Sequence, residues 1–299
     1  MKKGEDWEIK IYNNKVFGSD EDIRLFRIET EKPSFKFAIF CDWHWGGPTC
    51  NYRGIRNFVA MVRRLGLPWV SLGDLMENNL RNSAGSVFEQ ILTPHKQESD
   101  VYKLLEPIKD NCIGFIDGNH EYRSKKEADI SLALNMAEKL QKGAFYFTDI
   151  WAGEISAMPS GLVGNTCSTL KVWARHGSGG GSTRGGKANA AAKQERVCVN
   201  ADLYLSAHTH AIMSNKSYRY SFNHSNNAAP GIQSMPCYNL ICGAGLNYMK
   251  SYAAKGGMEP SCRDQVIVNF IPTRHTYTME GKRHQLFLKN VESKTVPLI

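Results

Sequence analysis

At 299 residues, with 42% hydrophobic and 22% charged residues, the chain has the material for a sizeable buried core and the balance of a globular protein. Its longest apolar runs, such as residues 37–41 and 266–271, are far too short to cross a bilayer as helices. The 37 basic against 29 acidic residues give a net charge of +8, which leaves room for an anionic, phosphate-rich partner.

Residues 1–33 read as short N-terminal strands. They open on a charged stretch with no apolar run behind it, so a secretory leader is not expected and the cytoplasm is the expected location. From about Ser34 onward, short β-rich apolar runs alternate with helical patterns, which predicts an α/β fold. The runs lie at 35–41, 69–72, 113–117, 171–175 and 202–206, with 238–242 following. Helical patterns fill 52–65, 86–108, 125–142 and 187–197 between them. The first helix sets Ile55, Phe58, Val59, Val62 and Leu65 on one stripe. Arg53, Arg56, Arg63 and Arg64 stand opposite, as a solvated face. Residues 211–238 are polar and turn-rich and predict a surface excursion, and the chain then ends in strands near 265–271 and 285–288. No repeat or long linker divides the sequence, so a single domain over 1–299 is expected. Of the eight cysteines none forms a C-x-x-C pair; Cys41, Cys112 and Cys242 sit in apolar runs and read as small buried hydrophobes.

Each of the five central runs ends in a polar cluster. Asp42-Trp43-His44 follows the first, and Gly73-Asp74-Leu75-Met76-Glu77-Asn78 the second. Gly118-Asn119-His120-Glu121 follows the third, His176-Gly177 the fourth and Ala207-His208-Thr209-His210 the fifth. Ligands of open α/β sheets bind in the crevice outside the carboxyl ends of the strands, so five such ends would converge on one place. Carboxylate, imidazole and amide oxygen together suit Zn, Mn or Fe, and two adjacent ions need a carboxylate between them. The i, i+2 spacing of Asp42 with His44, and of His208 with His210, would put both side chains on one side of an extended chain.

Taken singly, each block has a plain structural reading. D-x-H is a polar loop, G-D-x-x-E a strand-to-helix turn with Asp as N-cap, and G-N-H-E a turn using Gly and Asn for unusual backbone angles. Together, in this order and each at a strand end, they point to a dinuclear site.

The pattern D-x-H, G-D-x-x-E, G-N-H-E, lone H and H-x-H over residues 42–210 resembles the calcineurin-like metallophosphoesterase superfamily, and the Gly-rich run after His176 resembles its phage- and prophage-encoded members. The resemblance implies two packed β-sheets flanked by helices. It also implies two divalent transition-metal ions: one held by Asp42, His44 and His210, the other by Asn119, His176 and His208, with Asp74 bridging. His120 then corresponds to the non-ligand proton donor, and Glu77 to the carboxylate that orients it. Two departures stand out. Ala207 replaces the usual glycine before H-x-H, and the second motif continues as Asn78-Asn79, without the arginine of the protein phosphatases.

The activity implied is phosphoester hydrolysis by a metal-bound hydroxide, with a phosphodiester, and a nucleic acid within that class, as the expected substrate. A phosphomonoesterase or nucleotide pyrophosphatase with the same metals is the first alternative. A metal-stabilised binding protein without turnover is the second. The segment from Gly177 to Lys187 reads either as a lip holding substrate phosphate through Arg184 and Lys187, or as a solvated connector. Trp43, Trp45, Trp173 and Tyr122 could stack on a base, but core packing at strand ends is the preferred reading. No membrane partner is expected, and the sequence does not speak to oligomeric state.

Overall fold

The computed structural model describes residues 2–3, 6–83, 85–159, 167–179, 182–223, 231–247, 263–279 and 282–299. Thirteen strands appear among them: β1 (Lys2–Lys3), β2 (Trp7–Lys15), β3 (Asp22–Thr30), β4 (Phe35–Phe40), β5 (Trp69–Ser71), β6 (Cys112–Phe115), β7 (Ile150–Ala157), β8 (Ser168–Arg175), β9 (Leu203–Ser206), β10 (Ile212–Asn223), β11 (Gly231–Cys242), β12 (Asp264–Met279) and β13 (Lys282–Pro297). They form two mixed sheets, an eight-stranded one ordered β1-β2-β3-β7-β8-β9-β11-β10 and a five-stranded one ordered β13-β12-β4-β5-β6. Helices α1 (Tyr52–Leu65), α2 (Pro94–Leu105), α3 (Asn119–Ala128), α4 (Leu132–Lys139), α5 (Arg184–Ala192) and α6 (Gln194–Val197) complete the fold. Two packed sheets flanked by helices are what the motif resemblance implied.

The period of two along β4 explains the layering. Phe35, Phe37 and Ile39 face the other sheet and join Phe26, Ile28, Trp151 and Leu170 in the core between the sheets. Ala38 and Phe40 face the opposite way and pack with Ile55, Phe58 and Val62 of α1 and Val101 and Leu105 of α2. A strand buried on both faces reads as an unbroken apolar run, which is how β4 stood out in the sequence.

Helix α1 has the predicted bounds. The Asn51 side chain accepts from Gly54 N at its start, Gly66 closes it at φ 60°, and Arg53, Arg56, Arg63 and Arg64 are exposed. The other helical segments are shorter than expected. The pattern over 86–108 becomes a helix only at Pro94, with Thr93 as N-cap, because proline at N1 starts a helix rather than continuing one. The pattern over 125–142 begins earlier, at Asn119, and is cut in two at Asp129, which has φ 55°.

The segment 211–238, expected as a turn-rich surface excursion, is built of strands: apart from residues 224–230, which lie outside the described residues, it forms the long antiparallel pair β10 and β11. The alternation of Lys216, Tyr218, Tyr220 and Phe222 with smaller or polar residues carried that signal. Strand β7 escaped the sequence reading because Ala152, Gly153 and Glu154 interrupt its apolar run. Among the described residues no helix is long and apolar enough to cross a membrane.

Candidate metal centre

Strands β4, β5 and β6 run parallel in one sheet, and β8 and β9 run parallel in the other. Their carboxyl ends meet, and the turns that leave them carry the five polar clusters. The turns are not extended. Asp42, His44, Asp74, His208 and His210 all have positive φ, between 48° and 65°. Same-side projection from an extended chain therefore does not explain the D-x-H and H-x-H pairs; left-handed backbone aims both residues into the crevice. Such conformations cost roughly 1–3 kcal/mol each and persist where the surroundings impose them.

The loops leaving β5 and β6 fit face to face. A side chain on Gly73, at φ 89°, would lie 2.3 Å from Gly118 N, and one on Gly118 would lie 2.1 Å from Asp74 Oδ1. Both positions require glycine, as their motifs provide.

The side chains converge closely. Asp42 Oδ1 lies 3.4 Å from His210 Nε2, which is 3.1 Å from His44 Nε2. Asp74 Oδ2 lies 3.1 Å from His176 Nε2 and 4.0 Å from His44 Nε2, and so stands between two groups. The Asn119 Oδ1 atom is 3.0 Å from His176 Nε2 and 2.7 Å from His208 Nδ1. Candidate ligand atoms of Asp42, His44 and His210 lie within 4.8 Å of one another, as do those of Asp74, His176 and His208. A third such group joins His44 and Asp74 to His120.

The outer contacts orient this donor set for a cation. His176 Nδ1 donates to Leu72 O at 2.7 Å, and His44 Nδ1 faces Glu77 Oε2 at 3.0 Å. Each ring thus turns its Nε2 atom inward, the orientation metal-bound histidines adopt. Asp42 accepts from His208 N through both oxygens, and Asp74 Oδ1 accepts from His120 N at 2.8 Å. Buried nitrogen and carboxylate oxygen atoms at these separations suit divalent transition ions.

Electrostatics agree. Burial opposes charge on Asp74, yet the imidazoles of His176, His120 and His44 hold its carboxyl well below the usual range. His176 is buried too, and the Asp74 and Asp42 carboxylates push it up to about 10; Glu77 and the same two aspartates push buried His44 up to about 9. The metal-free cluster thus holds protons on His44 and His176 where a cation would otherwise balance the carboxylates.

Glu77 is a correction. Its carboxylate pairs with His44, not with His120, and Asn79 Nδ2 donates to its other oxygen at 2.9 Å. His120 Nδ1 is instead bonded to the main-chain oxygen of Glu77, and Arg123 Nη2 lies 3.0 Å from His120 Nε2. Burial, with His44 and Arg123 nearby, pushes His120 down to about 4. In the turn after Asp74 the chain thus presents the carbonyl of Glu77 to His120 and its side chain to His44.

Two residues escaped the sequence reading. Glu121, the last residue of G-N-H-E, accepts from Asp74 N, Met76 N and Gly118 N. Arg123, two residues on, also donates to Asn79 Oδ1 at 2.7 Å. The position of Glu121 inside the third motif was the available signal; Arg123 had none. Arg184 and Lys187 stand on the first turn of α5 rather than in the loop. Gly180 and Gly181 of that loop lie outside the described residues. Trp43 and Trp45 are buried core residues, as preferred, whereas Tyr122 is exposed.

No protein-family model matches the chain, and no curated protein matches it. Nineteen chains of solved structures do. One is a conserved uncharacterised protein of Streptococcus pneumoniae described as a predicted phosphoesterase, with TM-score 0.30 and 10% identity over 87% of this chain and 98% of that one. Another is GAP50, the anchor in the inner membrane complex of Plasmodium, with TM-score 0.37 and 13% identity over 86% of this chain and 90% of that one. At these scores neither likeness bears on the chemistry of this chain, which rests on its own residues.

Proposed function

We propose that this protein is a dinuclear-metal phosphoesterase and that its substrate is a phosphodiester, a nucleic acid within that class. The observation that carries the reading is the convergence of Asp42, His44, Asp74, Asn119, His176, His208 and His210 from five strand ends. Asp42, His44 and His210 would hold one ion, and Asn119, His176 and His208 the other, with Asp74 shared. Two divalent ions so held, Mn, Fe or Zn by donor type, would supply an activated water near neutral pH and would neutralise charge on the phosphoryl oxygens.

The rest of the chemistry falls to the chain's own groups. Glu77 holds the His44 ring through Nδ1, and Leu72 O holds His176 in the same way. His120 donates through Nδ1 to the Glu77 carbonyl, which leaves a lone pair on Nε2; it would protonate a leaving oxygen only after taking up a proton there, a charge that a bound phosphoryl group would favour. In the present arrangement Arg123 donates toward that nitrogen. Delivery therefore requires Arg123 to leave it, and a substrate phosphoryl group is the natural acceptor for the released guanidinium. The net charge of +8, the absence of the protein phosphatase arginine after Glu77, and Arg184 and Lys187 on the first turn of α5 favour a diester of nucleic acid over a phosphoprotein.

The test is hydrolysis of a bis-aryl phosphate, an aryl monophosphate and oligonucleotides with Mn, Zn or Fe added. Diester and oligonucleotide turnover that is abolished by chelation and by Asp74→Ala is expected. Preference for the monoester with intact oligonucleotides would transfer the protein to the phosphomonoesterases. Metal binding without turnover of any ester would make it a binding protein.

A further inference from the structure

Two hairpins leave the sandwich at the pole opposite the metal centre. The ends of β4, β5, β6, β8 and β9 that deliver the cluster define one pole. Strand β11 is parallel to β9, with Tyr238 opposite Leu203, the first residue of β9, so Gly231 to Cys237 precede the start of that strand. Strand β12 is antiparallel to β4, with Phe270 opposite Phe35, the first residue of β4, so residues 271–279 run out past it. Both hairpins therefore extend roughly 20–30 Å beyond their neighbours at the far pole.

The projecting parts have a distinctive composition. Residues 216–238 and 271–289 contain six Lys or Arg and one acidic residue, Glu280, in a chain where acidic residues are nearly as frequent as basic ones. Arg219 and Lys289 are committed to Glu195 and Asp202, whereas Lys216 and Arg274 are exposed.

The β10 hairpin adds an aromatic ladder. Period two puts Lys216, Tyr218, Tyr220 and Phe222 on the face that buries Tyr238 and Leu240 between the sheets. Past Tyr238 the same face is open: Tyr218 is 60% exposed, Tyr220 78% and Phe222 70%, with Ile232, the cross-strand partner of Phe222, at 66%. Lys216 Nζ lies 5.4 Å from the ring centroids of both Tyr218 and Tyr238, a cation at the root of the ladder.

We propose that this pole binds single-stranded nucleic acid. The choice of nucleic acid over another polyanion rests on the phosphodiester reading of the metal centre. Rings on alternate residues stand roughly 7 Å apart, about twice the spacing of stacked bases, so each can take one base of an extended strand. The predominantly basic hairpins hold the phosphates, and the exposed rings take the base faces. The surface is separated from the metal centre by the length of β10, and so acts as an anchor that holds a strand near the site without taking part in its chemistry.

The test is fluorescence anisotropy of a labelled oligo-deoxythymidine with chelator present, so that binding is read without cleavage. Tyr218→Ala/Tyr220→Ala should weaken binding about tenfold or more, while Tyr218→Phe/Tyr220→Phe, which keeps both rings, stays near wild type. Hydrolysis of a bis-aryl phosphate should be unchanged in both variants, which also reports that they fold. Lys216→Ala should lower the salt dependence of binding by somewhat less than one ion released. Equal binding by wild type and the double alanine variant overturns the proposal, as does duplex binding as tight as single strand. So does a concentration-dependent dimer, or binding to anionic lipid vesicles, that the alanines abolish while oligonucleotide binding is unaffected. Failure of the phosphodiester reading is seen separately, as absent bis-aryl phosphate turnover in a protein whose tyrosines still hold the oligonucleotide.

Discussion

The carboxylate of Glu121 accepts a hydrogen bond from the main-chain nitrogen of Asp74 at 2.8 Å, and through its two oxygens it also receives those of Met76 and Gly118. One buried side chain thus ties the turn after β5 to the turn after β6 and sets the position of the aspartate placed between the two candidate ion sites.

Glu121→Gln should therefore lower the melting temperature and the metal content together, since an amide nitrogen would face main-chain N–H groups that need an acceptor. Each buried group left unsatisfied costs about 1–3 kcal/mol. Burial, together with repulsion from Asp74, raises the Glu121 carboxyl from 4.5 to about 7 in the metal-free protein. A raised carboxylate contributes stability that is present below its unfolded value and is lost as pH rises through the folded one. His120, lowered from 6.5 to about 4, acts in the opposite sense over much of the same range. The difference in stability between metal-free wild type and Glu121→Gln should accordingly narrow as pH rises from 4.5 to 7, as followed by urea unfolding. A difference independent of pH would refute the assignment.

Metal affinity should rise with pH. His44, raised to about 9, and His176, raised to about 10, carry protons in the metal-free protein at neutral pH, and a bound cation must displace them. Affinity should increase by roughly tenfold per pH unit for each proton displaced. Calorimetry in buffers of different protonation enthalpy counts those protons directly. None released at pH 7 would contradict the protonated state described for these two rings.

Glu77→Ala and His120→Ala should separate cleanly. Loss of Glu77 frees the His44 ring, so metal affinity should fall about 10–100-fold. His120→Ala should keep the metals and reduce turnover by about 10²–10⁴-fold, less for esters with good leaving groups. Because His120 also lies within reach of His44 and Asp74, elemental analysis decides its role: loss of an ion would make it a ligand.

The candidate donor atoms could be read from the sequence because each sits within a short motif at the end of a strand whose apolar run announces it. The partners that orient them could not. Which of two imidazoles Glu77 meets depends on how the turns after β4, β5 and β6 come together, and the bonds of Glu121 to Asp74 and Met76 join residues far apart in the chain. Local pattern also failed at β7, where Gly153 is required because a side chain there would come within 2.0 Å of Phe26 O. The hairpin of β10 and β11 was missed because polar residues dominate its exposed strand, although its alternation was present.

The left-handed turns at Asp42, His44, Asp74, His208 and His210 allow the backbone of the site to be separated from its charge. Asparagine and aspartate both visit positive φ more readily than most residues, so Asp42→Asn leaves the turn at ease and alters the charge alone. Burial opposes the Asp42 carboxylate, yet the imidazoles of His210 and His176 hold its carboxyl below the ordinary value, so the charge stabilises the metal-free protein as well as a bound ion. Asp42→Asn should thus lower the melting temperature without metal and lower it further, relative to wild type, when Mn is supplied. Thermal unfolding with chelator and with added Mn measures both halves; an equal or higher melting temperature for the metal-free variant would show that repulsion between the carboxylates dominates.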